Sequence, residues 1–411
     1  MVASDDTFDV LIAGGGPAGS SCARALRRAG FTVVICDRAE FPRDKLCAGW
    51  ITPHVVAALG IDGASYAAGG RTWQPITGFR VSRLGDAESR VVYDRPVSYG
   101  IRRCEFDDFL LHRSGAELQL GAPVGRIERL SDVWVINGTL RARMLVGAGG
   151  HFCLVAQHLG ARLGSAEPII AAHEAEFELT ADQQRACAVE PEVPEIFFTR
   201  DLKGYGWVFR KGRFINIGLG RQDNAKLGDH VADFVAFLER RRRIPANLPA
   251  KFRGHPYLLY NQAPRPLIAD GALLIGDAAG LAYPKSGEGI RPAIESGLLA
   301  ADAIVQANGC YDRAHLAGYE RQIVDRFGSR TTTWSVADLL PARLTCALAG
   351  RLFAREWFAR HVVLDRWFFH ADQAALNVTG SLTPRTRGTR GAIPRQPATA
   401  SGPAALRSDT P

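Results

Sequence analysis

Apolar and polar positions follow three rhythms along this chain. The first is a short apolar run broken by glycine and followed by small residues at helical spacing. Asp9-Val10-Leu11-Ile12-Ala13 meets Gly14-Gly15-Gly16, then Pro17, Ala18, Cys22, Ala25, Leu26 and Ala29 recur on one helical face. Gly30 closes that helix, Val33–Cys36 reads as a second buried strand, and Asp37 ends it. The same rhythm returns at Gly271–Leu281, where a buried strand runs into Gly276-Asp277. Tyr283–Gly289 follows, then a helix carrying Ile290, Ala293, Ile294, Leu298, Ala301 and Ile304.

The second rhythm is strict alternation. It occurs between Ile76 and Tyr93, at Glu174–Leu179, at Glu195–Phe198, at Gly204–Gly212 and at Phe214–Gly220, and it predicts strands of a second, mixed sheet. Val133–Ile136, Asn137-Gly138 and Thr139-Leu140 form a hairpin signal, because both turn residues tolerate positive φ. That hairpin leads into Met144–Gly150, a strand ending in small residues. Helices are predicted through Val55–Leu59, through Phe106–Leu110, and through Val231–Leu238. Arg240–Arg243 reads as the solvated end of the last of these.

The third rhythm is aromatic and amphipathic, from Trp334 through Leu339, Leu340, Leu344, Leu348, Leu352, Phe353, Trp357 and Phe358 to Trp367–Phe369. It predicts helices that cover a lipophilic cavity or rest on a membrane surface, with ordinary helix packing as the plain alternative. Beyond Asp372 the chain is rich in Pro, Gly, Ser, Thr and Arg and reads as disordered.

The chain has 411 residues, 46% of them hydrophobic and 22% charged, enough for two or three packed units. Its net charge is +8, and Arg385, Arg387, Arg390, Arg395 and Arg407 against Asp409 place half of that in the tail. The remainder is only mildly basic and has no basic stripe interleaved with aromatics, which argues against nucleic acid as a partner. Eight scattered cysteines without a CxxC argue against disulfide and metal frameworks. The acidic start enters the first strand at once, and no apolar run reaches the roughly 18 residues of a membrane span. A cytoplasmic protein, in membrane contact at most peripherally through the C-terminal helices, is the expectation.

Gly14-x-Gly16-x-x-Gly19 is a dinucleotide fingerprint. Gly14 makes the turn, Gly16 admits a pyrophosphate to the backbone, and Gly19 lets the helix pack on its strand. Pro17 opens the helix whose N-terminus faces the phosphates, and Asp37 stands where a ribose hydroxyl is held. Asp277 is placed to accept from a ribityl or ribose hydroxyl, and the N–H groups of Gly287–Gly289 to face a ring that gains negative charge. Alone, Cys47 reads as a small buried thiol; its place between Lys45 and Gly49, beside the cofactor unit, makes it a candidate for chemistry. No second dinucleotide fingerprint is visible, so reducing equivalents reach the cofactor from an external donor.

With these residues in place, the chain resembles the flavoprotein oxidoreductases of the aromatic-hydroxylase fold, and within them the geranylgeranyl reductase family. The general marks are Gly14-x-Gly16-x-x-Gly19 with Asp37, Arg103-x-x-Phe106-Asp107, and Gly276-Asp277 followed by Pro284-x-x-Gly287-Glu288-Gly289. The narrower marks are Lys45-x-Cys47-x-Gly49 and Tyr205-x-Trp207-x-Phe209-x-Lys211 running on to Gly218-x-Gly220. Arg210 stands where that family's substrate motif carries proline.

The resemblance implies an α/β fold: a discontinuous Rossmann-type FAD-binding domain (1–75, 100–164 and 263–330), a mixed β-sheet substrate domain (76–99 and 165–262), a C-terminal helical region (331–372) and a disordered tail (373–411). It implies FAD, held by Gly14, Gly16, Pro17, Ala18, Gly19, Asp37, Arg38, Lys45, Cys47, Ala48, Arg103, Gly276, Asp277, Gly287, Glu288, Gly289 and Ile290, with NAD(P)H or another electron donor as reductant. Asp37 would hold the adenosine ribose, Arg103 would sit on the flavin side, and Asp277 would meet the ribityl–pyrophosphate region. Cys47, Tyr205 and Trp207 would line the substrate side and take part in catalysis, and no metal is implied. The expected reaction is reduction of a carbon–carbon double bond in a small lipophilic, isoprenoid-like substrate, with Cys47 or a water beside it as proton donor. Hydroxylation of an aromatic or apolar substrate with oxygen is the alternative enzyme reading, and a flavin-binding accessory protein without turnover is the third.

Overall fold

The computed structural model describes residues 7–162, 167, 169–223, 226–246, 248, 251–263, 265–330 and 342–376. Its strands, in chain order, are β1 (Phe8–Ala13), β2 (Val33–Cys36), β3 (Trp50–Ile51), β4 (Gln74–Ile76), β5 (Gly78–Arg83), β6 (Ser89–Val92), β7 (Ser98–Gly100), β8 (Glu117–Gln119), β9 (Ile127–Leu130), β10 (Val133–Ile136), β11 (Leu140–Gly147), β12 (Ile169–Glu178), β13 (Glu195–Phe198), β14 (Gly204–Lys211), β15 (Phe214–Arg221), β16 (Arg253–Leu258), β17 (Ile268–Ala269) and β18 (Ala272–Leu274). The helices are α1 (Pro17–Arg28), α2 (Pro53–Leu59), α3 (Gly63–Ala68), α4 (Arg103–Arg113), α5 (Leu154–His158), α6 (Ala181–Ala186), α7 (Leu227–Arg240), α8 (Ile290–Gln306), α9 (Arg313–Phe327), α10 (Ala342–Phe353) and α11 (Glu356–Phe358), the last continuing as a π-helical run over Ala359–Phe368.

The continuous apolar runs become the parallel centre of an eight-stranded sheet. Strand β1 lies between β11 and β2, β2 pairs β8, and β11 pairs β18, all parallel. Strands buried on both faces are what uninterrupted apolar runs encode. The Asn137-Gly138 turn, with both φ values positive, folds β10 back on β11, and β9 extends that ribbon. Because the central strands run in parallel, their C-terminal ends deliver Gly14–Gly16, Asp37, Gly147–Gly150 and Gly276-Asp277 to one edge, where open α/β sheets bind ligands. Gly14 has φ +121°, and a Cβ on it would lie 2.3 Å from the Ala148 carbonyl oxygen. Only glycine makes that turn.

The alternating stretches form a seven-stranded sheet in the order β16-β12-β15-β14-β13-β5-β6, antiparallel except for β13 on β5. Its two faces are sorted by the alternation. Val208, Ile215, Ile217 and Leu219 pack under Phe234 and Leu238 of α7. Phe79, Val81, Ile196, Trp207 and Phe209 face the other way and are covered by Phe353, Val363, Leu364, Phe368 and Phe369. The aromatic C-terminal stretch therefore covers this sheet, although Trp357 is 67% exposed. Trp334, Leu339 and Leu340 lie outside the described residues. Among the described residues no helix is long and apolar enough to cross a membrane.

Three details differ from the sequence expectations. The division at 75/76 and 99/100 falls inside β4 and β7 of a third, small sheet, in which β7 pairs both β3 and β4. Arg243 is not simply solvated: it turns inward onto Glu88 and onto the buried Glu195, 3.4 Å away, because a buried carboxylate needs a cation. Residues 373–376, expected to begin a disordered tail, are anchored. Gln373 accepts from Arg291 through its backbone carbonyl, and Arg326 donates to the Ala374 carbonyl at 2.9 Å. The rest of that tail, 377–411, lies outside the described residues.

Helices α1 and α8 cross in close contact: a Cβ on Gly297 would lie 2.4 Å from the Ala18 carbonyl oxygen. Gly297→Val is expected to lower stability by about 1–3 kcal/mol. Gly228, at the start of α7 with nothing within 4 Å of its Cβ position, should tolerate alanine without loss. Thermal denaturation of the two variants beside the parent protein checks both.

Candidate functional site

The two glycine motifs, far apart in sequence, open onto one cavity whose empty space, open solvent at its mouth included, is about 1250 Å³. At one end are Gly16, Pro17 and Ala18 at the start of α1, with Arg43 and Arg103 beside them. At the other are Ser286 to Ile290 at the start of α8. The start of α1 has no acid in its first turn and no side-chain cap, so its N–H groups and positive end face the cavity without a competing anion, whereas the Glu288 carboxyl meets the first N–H groups of α8. Between them the wall is apolar and aromatic: Trp50, Ile196, Tyr205, Trp207, Phe209 and Phe368.

Of the residues expected to hold the cofactor, Gly16, Pro17, Ala18, Lys45, Cys47, Ala48, Arg103, Asp277, Gly287, Glu288, Gly289 and Ile290 line this cavity. Gly14, Gly19, Asp37, Arg38 and Gly276 do not line it. Gly14 and Gly19 are spent on each other, a Cβ on Gly19 lying 2.0 Å from the Gly14 carbonyl oxygen. Asp37 accepts from the Gly15 N–H at 2.8 Å and from the Ala39 N–H at 2.9 Å, which fixes the glycine turn. A carboxylate has about four acceptor sites, so two remain for sugar hydroxyls. Arg38 is exposed beside it, and the Gly276 N–H donates to the Ser296 hydroxyl.

The loop carrying Lys45, Cys47 and Ala48 is clamped from below by β14 and β15. The buried ammonium of Lys211 donates to the carbonyls of Ala48 (2.9 Å) and Ile101 (3.0 Å) and lies 2.5 Å from Glu176. Asn216 donates to the Cys47 carbonyl at 3.1 Å and accepts from the Trp207 indole N–H at 2.8 Å. Gly49, at φ +69°, passes where any Cβ would strike the Ile101 carbonyl at 2.3 Å. The Cys47 thiol accepts from the Gly49 N–H, and burial pushes its pKa up, so it stays protonated. The Tyr205 hydroxyl donates to the Ser286 carbonyl, which ties the aromatic wall to the loop before α8.

Charged groups line the polar side. Arg103 pairs with the buried Asp107 through two bonds of 2.7 and 2.9 Å, and Arg43 reaches the same carboxylate at 3.3 Å. Lys45 contacts His255 at 2.7 Å, and His255 stands 4.0 Å from Asp277. Burial lowers the Lys45 pKa to about 8 and also lowers that of His255. Burial acts to raise Asp277, but the His255 hydrogen bond and the Lys45 charge outweigh it and hold the carboxyl below its ordinary value. Glu288 folds back so that its carboxylate accepts the Arg291 N–H at 2.8 Å, and burial pushes it up to about 7.

Several cavity residues carry no sequence signal of their own. His255 and Tyr257 arrive on β16, and Arg43 from the loop after β2. Arg265 sits fully buried behind the Asp277 turn, paired to Glu167 at 2.6 and 2.7 Å and donating to the carbonyls of Asp277 and Ala278. Removing one partner of such a pair strands the other. Arg265→Met should therefore cost about 3–5 kcal/mol of stability and loosen the Asp277 turn, while Arg265→Met with Glu167→Leu should recover most of the loss. Denaturant unfolding of the three proteins measures this.

A family model described as an FAD-binding domain matches residues 7–60. A menaquinone reductase of Mycobacterium tuberculosis is 31% identical over 370 residues, covering 83% of this chain and 85% of its own length. A geranylgeranyl diphosphate reductase of Rhodobacter capsulatus is 30% identical over 317 residues, covering 72% and 74%. Among solved structures, a geranylgeranyl bacteriochlorophyll reductase-like protein of Thermoplasma acidophilum superposes with a TM-score of 0.69 at 20% identity, over 85% of this chain and 92% of that one; that likeness is one of fold. The site fits FAD on its own chemistry. Gly16 presents no side chain to the cavity, the nearest atom to its Cβ position being Arg43 Nη2 at 3.6 Å, the uncapped N-terminus of α1 stands at one end, and the Gly287–Gly289 loop stands at the other. The chain belongs to the geranylgeranyl reductase family of FAD-dependent oxidoreductases.

Proposed function

We propose that this protein reduces a carbon–carbon double bond in an isoprenoid chain. The observation that carries the reading is the aromatic arm of the cavity, from Trp50 and Phe209 to Phe368, which runs without a break into the Gly287–Gly289 end. An unbranched polar substrate would leave that arm dry and unfilled, whereas an isoprenoid buries it, at roughly 25 cal/mol per Å² of apolar surface. Relatives are named for geranylgeranyl chains, as the diphosphate and as a digeranylgeranyl glycerophospholipid.

In this reading Asp37 takes the adenosine ribose, and the N–H groups at Gly16–Ala18, with Arg43 beside them, take the pyrophosphate. Asp277 takes a ribityl hydroxyl with Lys45 and His255 behind it, and Gly287–Gly289 face the ring edge that gains negative charge. FAD bound by these residues would supply the hydride chemistry, with NAD(P)H or another donor as the source of its electrons. Cys47, Tyr205 and Trp207 hold the double bond against that end and keep water out. The carbon that takes no hydride must receive a proton from the same wall. Peripheral contact with a membrane through the exposed Leu348 and Trp357 would bring a lipid substrate to the Phe368 side.

The test is anaerobic. Protein loaded with FAD and reduced by dithionite is incubated with geranylgeranyl diphosphate and, separately, with a menaquinone, and the products are weighed by mass spectrometry. A gain of two hydrogens per reduced bond without oxygen is expected. Product that forms only with oxygen and carries an added oxygen atom would overturn the reading.

A further inference from the structure

We infer that Glu174 is the general acid of this reduction, the group that protonates the carbon left without hydride. The inference rests on the double-bond reading above, and it is carried by where β12 places this carboxyl. Across the seven-stranded sheet the register aligns Arg253, Glu174, Gly218, Trp207, Ile196 and Val81 in one row. Glu174, Trp207 and Ile196 of that row line the cavity. Gly218 has no side chain, and the Trp207 ring lies over it, within 2.2 Å of where a Cβ would be. The indole therefore reaches across toward Glu174. Glu174 is 5% exposed as a whole residue, set against an aromatic wall, and its carboxyl accepts from the Cys47 backbone.

The groups facing it can be named from each side. Lys211 on β14 and Lys45 on the loop favour its carboxylate form; burial and Glu176 on its own strand oppose it. Lys211 already pairs with Glu176, and Arg253 on β16 pairs with Asp44. Arg103, near Cys47, is taken by Asp107. Burial prevails and pushes Glu174 up to about 7, near the pH at which a general acid works best.

The other acids of the cavity are less suited. Burial raises Cys47 above the ordinary thiol value, and Tyr205 and Tyr257 above the ordinary phenol value, so each holds its proton tightly. Glu288 is turned back onto the Arg291 N–H. Lys45, His255 and Asp277 are joined to one another at the polar end. Glu174 is the acidic group on the aromatic wall itself.

The step balances simply. Two electrons arrive as hydride from the cofactor, reduced beforehand by a nicotinamide or another two-electron donor, and form one C–H bond. The π pair of the double bond takes the Glu174 proton and forms the second, leaving a carboxylate. Water returns the proton before the next turnover. Because the acid must be protonated, the rate should fall as pH rises through about 7.

The experiment joins two readouts. In pH-difference infrared spectra of the protein, with and without FAD, carboxylic-acid C=O absorption should titrate near neutral pH, Glu288 and Glu195 contributing to it, and the component due to Glu174 should appear as a band present in the parent minus Glu174→Gln difference. In anaerobic single turnovers of dithionite-reduced protein with geranylgeranyl diphosphate or a menaquinone, Glu174→Gln should fall by about 10²–10⁴-fold and lose the descending pH limb. Glu174→Asp should keep the limb at reduced rate, and Cys47→Ala should keep it with a loss of under about tenfold. A Glu174→Gln protein that still binds FAD, turns over at the parent rate and keeps the limb would overturn the assignment, as would absence of the infrared band. If the parent protein saturates neither probe, the double-bond reading fails; if it does and Glu174→Gln does so equally fast, the acid assignment alone fails.

Discussion

A single buried ammonium group, that of Lys211, ties the cofactor side of this molecule to its substrate side. A charge taken out of water is tolerable only when its donors are all met, and here two backbone carbonyls and one carboxylate meet them. One carbonyl belongs to Ala48 in the loop after β2, and another to Ile101 just before α4. Strand β14 thus grips both the loop that leaves β2 and the segment that joins β7 to α4. Gly49 and Gly100 leave room for the lysine stem, since a Cβ on either would fall within 3 Å of it. Cys47 owes its position to that grip and to Asn216 beside it, and Glu174 owes its burial to the same closed loop.

A second set of contacts closes the far side. Arg291, in the first turn of α8, is buried, pairs with Glu295, and donates to the carbonyls of Phe369 and Gln373. Arg291, two residues past the Gly287–Gly289 loop, therefore also fastens the C-terminal strap that brings Phe368 over the cavity. The Gly287–Gly289 end of the cavity and its apolar cover are thus fastened to one helix. Tyr205 adds a third link, from the aromatic wall to Ser286.

Much of this was legible in the chain. The parallel strands announce themselves because both of their faces are buried, and the glycine turns because Gly14 and Gly19 occupy the same space. Lys45-x-Cys47-x-Gly49 and Tyr205-x-Trp207-x-Phe209-x-Lys211 are far apart in sequence, and the structure joins them through Lys211. What the residues alone did not reveal has a common cause. Alternation says that Glu174 and Glu176 share one face of a strand, but not that one meets an ammonium group and the other an indole. His255 and Tyr257 lie on a strand with little apolar pattern, so their place in the cavity is set by the register of β16 on β12. Arg243 and residues 373–376 were misread for the same reason, their partners being distant in sequence.

The central claim is that cofactor and substrate meet in one cavity bounded by the starts of α1 and α8 and by the aromatic wall of the seven-stranded sheet. A crystal structure of the protein with FAD and a non-reducible isoprenoid analogue tests it most directly. The account predicts the pyrophosphate at Gly16–Ala18, the ring system at Gly287–Gly289, and the isoprenoid between that ring and Trp207, with a chain carbon in contact with Glu174. An isoprenoid bound outside this cavity, or a ring system away from Gly287–Gly289, would contradict it.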